Sequence, residues 1–319
     1  MGSILADAVW VAVVMSFAWA VRGTISGAMR GAMVAGGFAG LALALQGQGL
    51  SGEGFYVLAA AGAAGFGFGG SMTYGQTLGL TQNGDPPPAY WWGILGTCVK
   101  GSVWIGLGAL VVGMVASPVP YSATDGLILI AVGPALWAAG IRLLNRPMAP
   151  PERFPLIYFS SRDATGRPEW WGGMWVMFLG WLAYAYFWKD DGFAAGLALF
   201  GLAGGGVGFP AGQMLHSWGH RKVPFGPRVQ RWIDWWKVME FTFGAVAGLA
   251  LSSGWTWLGG RYGAPSVELA PAWSPLSVAA AVLWLAVFVY VYAVLRPEKD
   301  PVETWWFFAL PLFAPLPGI

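Results

Sequence analysis

Charged residues are scarce in this chain of 319 residues. They make up only 10% of it, whereas hydrophobic residues make up 56%, and the mean hydropathy is +0.58. A soluble domain of ordinary composition is about 25% charged, so this chain has too few charges to cover a surface that faces water. The composition therefore excludes a soluble globular protein and predicts an integral membrane protein.

Cysteine and histidine are nearly absent as well. The single cysteine, Cys98, excludes a disulfide framework and a multi-cysteine metal site, and two histidines are too few for a histidine-rich redox chain. No phosphate-binding GxxxxGK(S/T) loop occurs, and no serine has a local nucleophile signature. The net charge of +2 includes no basic patch typical of nucleic-acid binding. We therefore predict no cofactor and no nucleic-acid partner.

Long apolar stretches are what the sequence has in quantity. A helix that crosses the ~30 Å hydrocarbon core of a bilayer needs about 20 apolar residues. Ten stretches reach or approach this length, and they are continuously apolar rather than alternating. They span residues 4–21, 31–46, 55–72, 90–116, 124–144, 172–188, 192–213, 235–257, 275–295 and 303–318. The predicted fold is an all-α, polytopic membrane protein embedded in the lipid bilayer.

The basic residues predict the orientation of these helices. If the N-terminus is outside, the cytoplasmic segments and their flanks hold most of the Arg and Lys residues, as the positive-inside rule expects. They are Arg22, Arg30, Arg142, Arg146, Arg153, Arg162, Arg167, Arg221, Lys222, Arg228, Arg231, Lys237, Arg296 and Lys299. The opposite side receives only Lys189 and Arg261. The predicted location is a bacterial inner membrane.

The chain divides into two halves. A Pro- and Arg-rich cytoplasmic linker at 146–171 separates a membrane half at 1–145 from another at 172–319. Gly65–Phe68 in the third helix resembles Gly206–Phe209 in the seventh, and a polar loop and a Trp-Trp pair follow each. This pattern indicates a parallel duplication of helices 2–5 as helices 6–9, as in some transporters. Chance similarity is the alternative, because the chain has 49 glycines.

Glycines recur at a spacing of four within the predicted helices, for example at Gly36 and Gly40 and at Gly244 and Gly248. Small residues at this spacing let helix backbones approach closely in lipid. A compatible functional interpretation is that the glycine-rich stretches around 65–70 and 204–208 are unwound segments that line a site.

Two ionisable residues fall inside predicted helices. A charge near the bilayer centre costs roughly 2.5–3.5 kcal/mol on insertion scales, so each needs a reason. Lys100 lies deep in the fourth helix and Glu240 about one turn inside the eighth. The duplication would bring these two side chains together, either as a substrate site for an anion or as a structural ion pair that fixes helix register.

Two polar loops are further candidates for substrate binding. Tyr74 and Gln76 follow the third helix, and Gln213 and His216 end the seventh. Hydroxyl and amide groups suit a neutral or sugar-like ligand, although ordinary solvated loops have the same composition. His216 and His220 have the i, i+4 spacing of a metal-binding helix, but two ligands do not make a site. We predict no metal; a metal held by His216 and His220, with Glu240 as a third ligand, is the weaker alternative.

Arg22 and Arg30 flank the connection between the first two helices. Topology determination explains both residues. They could also turn inward and hold a carboxylate, sulfate or phosphate group.

Three function classes remain. A membrane transporter or channel for a small polar or anionic solute, possibly sugar-like, explains the helices, the duplication and the buried charges together. A non-catalytic scaffold of a larger complex, with the 21 tryptophans as packing surface, is one alternative. An intramembrane enzyme that uses the histidine pair is the other. A homo-oligomer or a larger membrane complex is compatible with the sequence.

Overall fold

The computed structural model describes residues 4–25, 28–46, 50, 52–72, 74–82, 87–145, 157–159, 169–222, 224–225 and 227–267. Within these ranges the chain is all-helical and contains no strand. The helices are α1 (Ile4–Ile25), α2 (Ala28–Gln46), α3 (Gly52–Gly69), α4 (Gly75–Gln82), α5 (Pro87–Ala116), α6 (Ala123–Gly140), α7 (Trp171–Ala183), α8 (Gly192–Lys222), α9 (Pro227–Gln230) and α10 (Trp235–Tyr262). A π-helical turn extends α6 through Asn145, and another extends α7 through Trp188.

Eight of the ten predicted apolar segments coincide with helices. In the described ranges, five helices are long and apolar enough to cross a membrane: Ile4–Thr24, Met29–Gln46, Ala89–Ala116, Ala123–Asn145 and Gly192–Lys222. The predicted segments 275–295 and 303–318 lie outside the described residues. The helical membrane class is thus supported, while the number of ten spans, their orientation and the duplication stay predictions.

Hydrogen bonds between loops show which helix ends lie together. The Tyr121 hydroxyl, between α5 and α6, donates to the carboxylate of Asp191, which precedes α8. Ser266, after α10, donates its backbone N–H to the carbonyl of Ala116 at the end of α5. We call this the Asp191 end of the bundle. Arg22, Tyr74 and Glu240 lie together at what we call the Arg22 end.

Polar side chains set where several helices begin. Ser122 and Asp125 form a reciprocal capping box at the start of α6. Asp234 accepts hydrogen bonds from the backbone N–H groups of Trp236 and Lys237 at the start of α10. Asp191 accepts one from Ala194 in the first turn of α8. These caps satisfy backbone donors that would otherwise lack an acceptor in an apolar environment.

Glycines lie where helix backbones touch, as their spacing predicts. Gly36 and Gly40 of α2 pack against Gly62 and Leu58 of α3, and Gly244 of α10 packs against Met15 of α1. A Cβ atom at Gly244 or Gly40 would overlap with a backbone carbonyl of the neighbouring helix. The stretch around 204–208, by contrast, is continuous helix in α8 rather than unwound.

Helices from the two predicted halves of the chain pack against each other. Gly101 of α5 and Gly205 of α8 lie against each other, so a helix from each half meets without an intervening side chain. A groove of about 580 Å³ between α1 and α2 has an entirely apolar lining, which includes Val13, Phe17 and Phe38. Such a surface is suited to contact with lipid.

We expect Gly205→Ala to destabilise the bundle by about 1–3 kcal/mol, because the added Cβ overlaps with the Gly101 carbonyl and forces α5 and α8 apart. Thermal melting of the detergent-purified protein measures this loss. Gly260→Ala is the matched control, since a Cβ there meets nothing within 4 Å. Equal melting temperatures for the two variants would contradict the proposed close approach.

Candidate functional site

Arg22 occupies an aromatic enclosure at the Arg22 end. It lies in the last turn of α1 and is only 2% exposed. Its guanidinium carbon lies 5.2 Å from the ring centroids of Trp19 and Tyr74 and 5.1 Å from that of Trp104. Cations are attracted to aromatic faces at such distances. Three rings from α1, α5 and the α3–α4 connection therefore hold one buried cation.

The hydrogen bonds of this enclosure are incomplete. Arg22 Nη2 donates to the Tyr74 hydroxyl at 3.2 Å and lies 3.7 Å from Glu240 Oε1. Among the described residues, Arg22 Nε and Nη1 have no hydrogen-bond acceptor, and neither does the buried Nε1 of Trp19. A buried donor without an acceptor costs about 1–3 kcal/mol, more when it is charged. The enclosure thus presents surplus donors and lacks acceptors.

Glu240 is the carboxylate nearest to Arg22, but other donors hold it. Lys237 Nζ donates to its Oε2 at 2.7 Å, and Trp236 Nε1 donates to its Oε1 at 3.1 Å. Lys237 also donates to the backbone carbonyl of Ala20 at 2.7 Å, which ties α10 to α1. A Cβ at Gly23 would lie 2.8 Å from Glu240 Oε1, so a glycine there leaves room for the carboxylate.

The structure gives Lys100 a different partner from the predicted one. Lys100 Nζ lies 2.6 Å from Glu169 Oε1 and donates to the Thr77 hydroxyl at 2.7 Å, whereas Glu240 pairs with Lys237 and Arg22. The expected pairing of Lys100 with Glu240 was wrong. Glu169 lies in the predicted linker, two residues before α7, and no helical spacing could reveal that it contacts α5.

The Lys100–Glu169 pair is closed to solvent and densely hydrogen-bonded. Both side chains are at most 1% exposed. Glu169 Oε2 accepts hydrogen bonds from the backbone N–H of Phe159 and from Trp171 Nε1. These contacts favour the structural interpretation of Lys100, as an ion pair that fixes Glu169 and Phe159 against α4 and α5.

Gln213 and His216 join a polar network between α4 and α8. Gln213 Nε2 donates to the Thr81 hydroxyl, and the Ser217 hydroxyl donates to Thr81 Oγ1 at 3.1 Å. His216 Nδ1 lies 3.2 Å from Gln213 Oε1, and Gln82 Nε2 lies within 3.2 Å of both ring nitrogens. The members of this network bind one another and lock α4 onto α8.

The two histidines lie edge to face, with ring centroids 4.7 Å apart. The ring centroids of Trp236 and His216 lie 5.5 Å apart. The indole N–H of Trp236 donates to Glu240, so Trp236 contacts both His216 and Glu240. In the described part of the chain, no group of three or more His, Cys, Asp or Glu side chains could hold a metal ion.

The remaining predicted residues lie elsewhere or contribute in part. Arg30 is half-buried in the first turn of α2, and the contacts of Arg22 do not include it. Gln76 is half-buried in α4, and its Oε1 has no hydrogen-bond donor among the described residues. Tyr74 contacts Arg22 directly. The sequence analysis did not predict Trp19, Trp104 or Glu169 as part of a site. Trp19 alone had a local signal, because it lies three residues before Arg22 on α1.

The Asp191 end holds a second buried polar cluster. The Tyr121 hydroxyl donates to Asp191 Oδ2 at 2.8 Å, and Asp191 is fully buried. Burial raises the pKa of Asp191, and burial together with the nearby carboxylate raises the pKa of Tyr121 above its usual range. Tyr121 and Asp191 are hydrogen-bonded to each other, so this cluster holds the loop before α6 against the loop before α8.

Comparison with known proteins adds no relative. The chain matches no protein-family model, no curated protein and no solved structure. Function must therefore be inferred from the chemistry of the site itself.

We expect Lys100→Met to destabilise the protein by about 3–5 kcal/mol, because it leaves the Glu169 carboxylate buried without its cation. Adding Glu169→Gln should restore part of the loss, which a double-mutant cycle of melting temperatures measures. Lys222→Met is the control. It removes an exposed lysine at the end of α8, and its expected effect is within about 0.5 kcal/mol. Additive losses for Lys100 and Glu169 would contradict the structural pairing.

Proposed function

We propose that this protein is a membrane transporter or channel for a small anionic solute, which binds at Arg22. The observation that carries the proposal is the buried guanidinium whose Nε and Nη1 have no acceptor in the described part of the chain. A ligand oxygen would satisfy these donors and compensate the buried charge.

Two neighbouring features support an anion as the ligand. Trp19 Nε1 is another buried donor in the same enclosure. Glu240 is already hydrogen-bonded to Lys237 and Trp236, so it compensates Arg22 only in part at 3.7 Å. The enclosure therefore favours an anion over a neutral sugar-like solute. A sugar hydroxyl also donates a hydrogen bond, whereas the unpaired atoms of Arg22 and Trp19 are all donors.

The helix architecture supports movement of the solute rather than binding alone. In the described part of the chain, five helices are long and apolar enough to cross a membrane, and one of them, α1, carries Arg22. Helix α3 ends at Gly69 and α4 begins at Gly75, and Tyr74 lies in the connection between them. Discontinuous helices of this kind commonly line transport sites. Ten spans, an outside N-terminus, a parallel duplication and a bacterial inner membrane complete the proposal.

The two alternatives receive less support. An enzyme at the histidine pair would need His216, His220 and Glu240 to form one site, but in the described residues no group of three His, Cys, Asp or Glu side chains could hold a metal ion. A scaffold would present its polar groups to solvent or partners, whereas Arg22 and Glu240 are both at most 2% exposed.

We expect small anions to raise the melting temperature of the detergent-purified protein and Arg22→Gln to remove this effect. An anion at about 100 times its Kd should add ~2.7 kcal/mol to the free energy of unfolding. Arg142→Gln is the matched control, since it removes an exposed positive charge outside the enclosure. Uptake of the stabilising anion into proteoliposomes then tests transport.

Two results would contradict the proposal. Stabilisation that persists in Arg22→Gln would place the anion elsewhere. Anion binding without any flux in proteoliposomes would leave a receptor or scaffold in place of a transporter.

A further inference from the structure

The charges around Arg22 do not cancel. Arg22, Lys237 and Glu240 form one contact group, in which Glu240 Oε1 faces Arg22 and Oε2 faces Lys237. Two cations against one carboxylate leave a formal charge of +1. The other contacts of these side chains are uncharged: aromatic rings, the Trp236 indole N–H and the Ala20 carbonyl.

Burial makes the uncompensated positive charge at Arg22 energetically costly. Arg22 and Glu240 are at most 2% exposed, so water does little to screen them, while Lys237 is 26% exposed and leads to the surface. An ionic group in such surroundings is stable when its charge is compensated and its donors are satisfied. One negative charge achieves this balance, and a second one would have no cation left.

The open donors also restrict the shape of the ligand. Three aromatic ring centroids lie 5.1–5.2 Å from the guanidinium carbon, so little room remains around the guanidinium for a bulky ligand. The unpaired Nε and Nη1 groups donate in the guanidinium plane. A flat carboxylate fits this plane and forms charge-assisted hydrogen bonds with guanidinium groups.

We infer that the site takes a small monocarboxylate in preference to a divalent anion, and that Glu240 sets this choice as a resident counter-charge. The inference rests on the proposed anion site at Arg22. The carboxylate of Glu240 neutralises one of the two positive charges of Arg22 and Lys237, and the ligand neutralises the other. Removing the carboxylate charge raises the excess to +2 and opens the site to divalent anions.

The test measures Kd values for sodium acetate, benzoate, sulfate and succinate at constant ionic strength, by isothermal titration calorimetry of the full chain in detergent. For the wild-type protein we expect a monocarboxylate to bind at least tenfold more tightly than sulfate and succinate. For Glu240→Gln, which preserves shape and removes charge, we expect this preference to fall at least tenfold or to reverse.

Asp7→Asn is the matched control. It makes the same change in charge on α1, but 15 residues from Arg22, or about 22 Å along the helix. Its selectivity should equal that of the wild-type protein. Lys237→Met provides a second variant at a more exposed position, so the test does not depend on the folding of Glu240→Gln. It lowers the excess charge to zero and should weaken monocarboxylate binding at least tenfold.

The outcomes separate the inference from the function on which it rests. If sulfate or succinate binds the wild-type protein as tightly as acetate or benzoate, or if Glu240→Gln and Lys237→Met leave selectivity and affinity unchanged, the charge-balance inference is wrong while the anion site stands. If none of the four anions binds, or if Arg22→Gln binds them as the wild-type protein does, the proposed site itself is wrong.

Discussion

Compensation of buried charge is the constraint on which the interior of this bundle depends. An apolar helix bundle offers little water to a charged side chain, so each buried ion must find a partner or shift to its neutral form. Lys100 meets the constraint fully, through Glu169 and Thr77. Arg22 meets it partly, through Glu240 and three aromatic rings. The difference between these two sites separates a structural ion pair from a candidate binding site.

The sequence predicted the helices well because their signal is local. A continuous apolar stretch predicts a helix without knowledge of its neighbours. Eight such stretches coincide with helices, and in the described ranges five of these helices are long and apolar enough to cross a membrane. Close packing at Gly36, Gly40 and Gly244 was predictable for the same reason, since a spacing of four places residues on one helix face. The sequence also singled out Arg22, Tyr74 and Glu240 as candidates.

Partners of the buried charges were beyond such local patterns. Lys100 and Glu169 are separated by 69 residues, and a pairing over such a distance leaves no local pattern in the sequence. The rings around Arg22 come from α1, α5 and the segment before α4, so no single helix carries the enclosure. Spacing along one helix could not distinguish the tryptophans of this enclosure from the many others. The predicted pairing of Lys100 with Glu240 was wrong because it depended on the assumption that the two helices are equivalent members of a duplication.

The position of Arg22 along α1 has an electrical consequence. At 1.5 Å per residue, the 22 residues of α1 extend about 33 Å, close to the full hydrocarbon thickness, and Arg22 lies in the last turn. A unit charge that crosses the whole membrane does work of about 2.3 kcal/mol per 100 mV. If α1 spans the membrane and Arg22 binds the proposed anion, an anion that reaches Arg22 from the near side crosses only a small part of that field. Occupancy of the enclosure would then respond weakly to membrane voltage, and nearly all the electrical work would fall on the path from Arg22 to the Asp191 end.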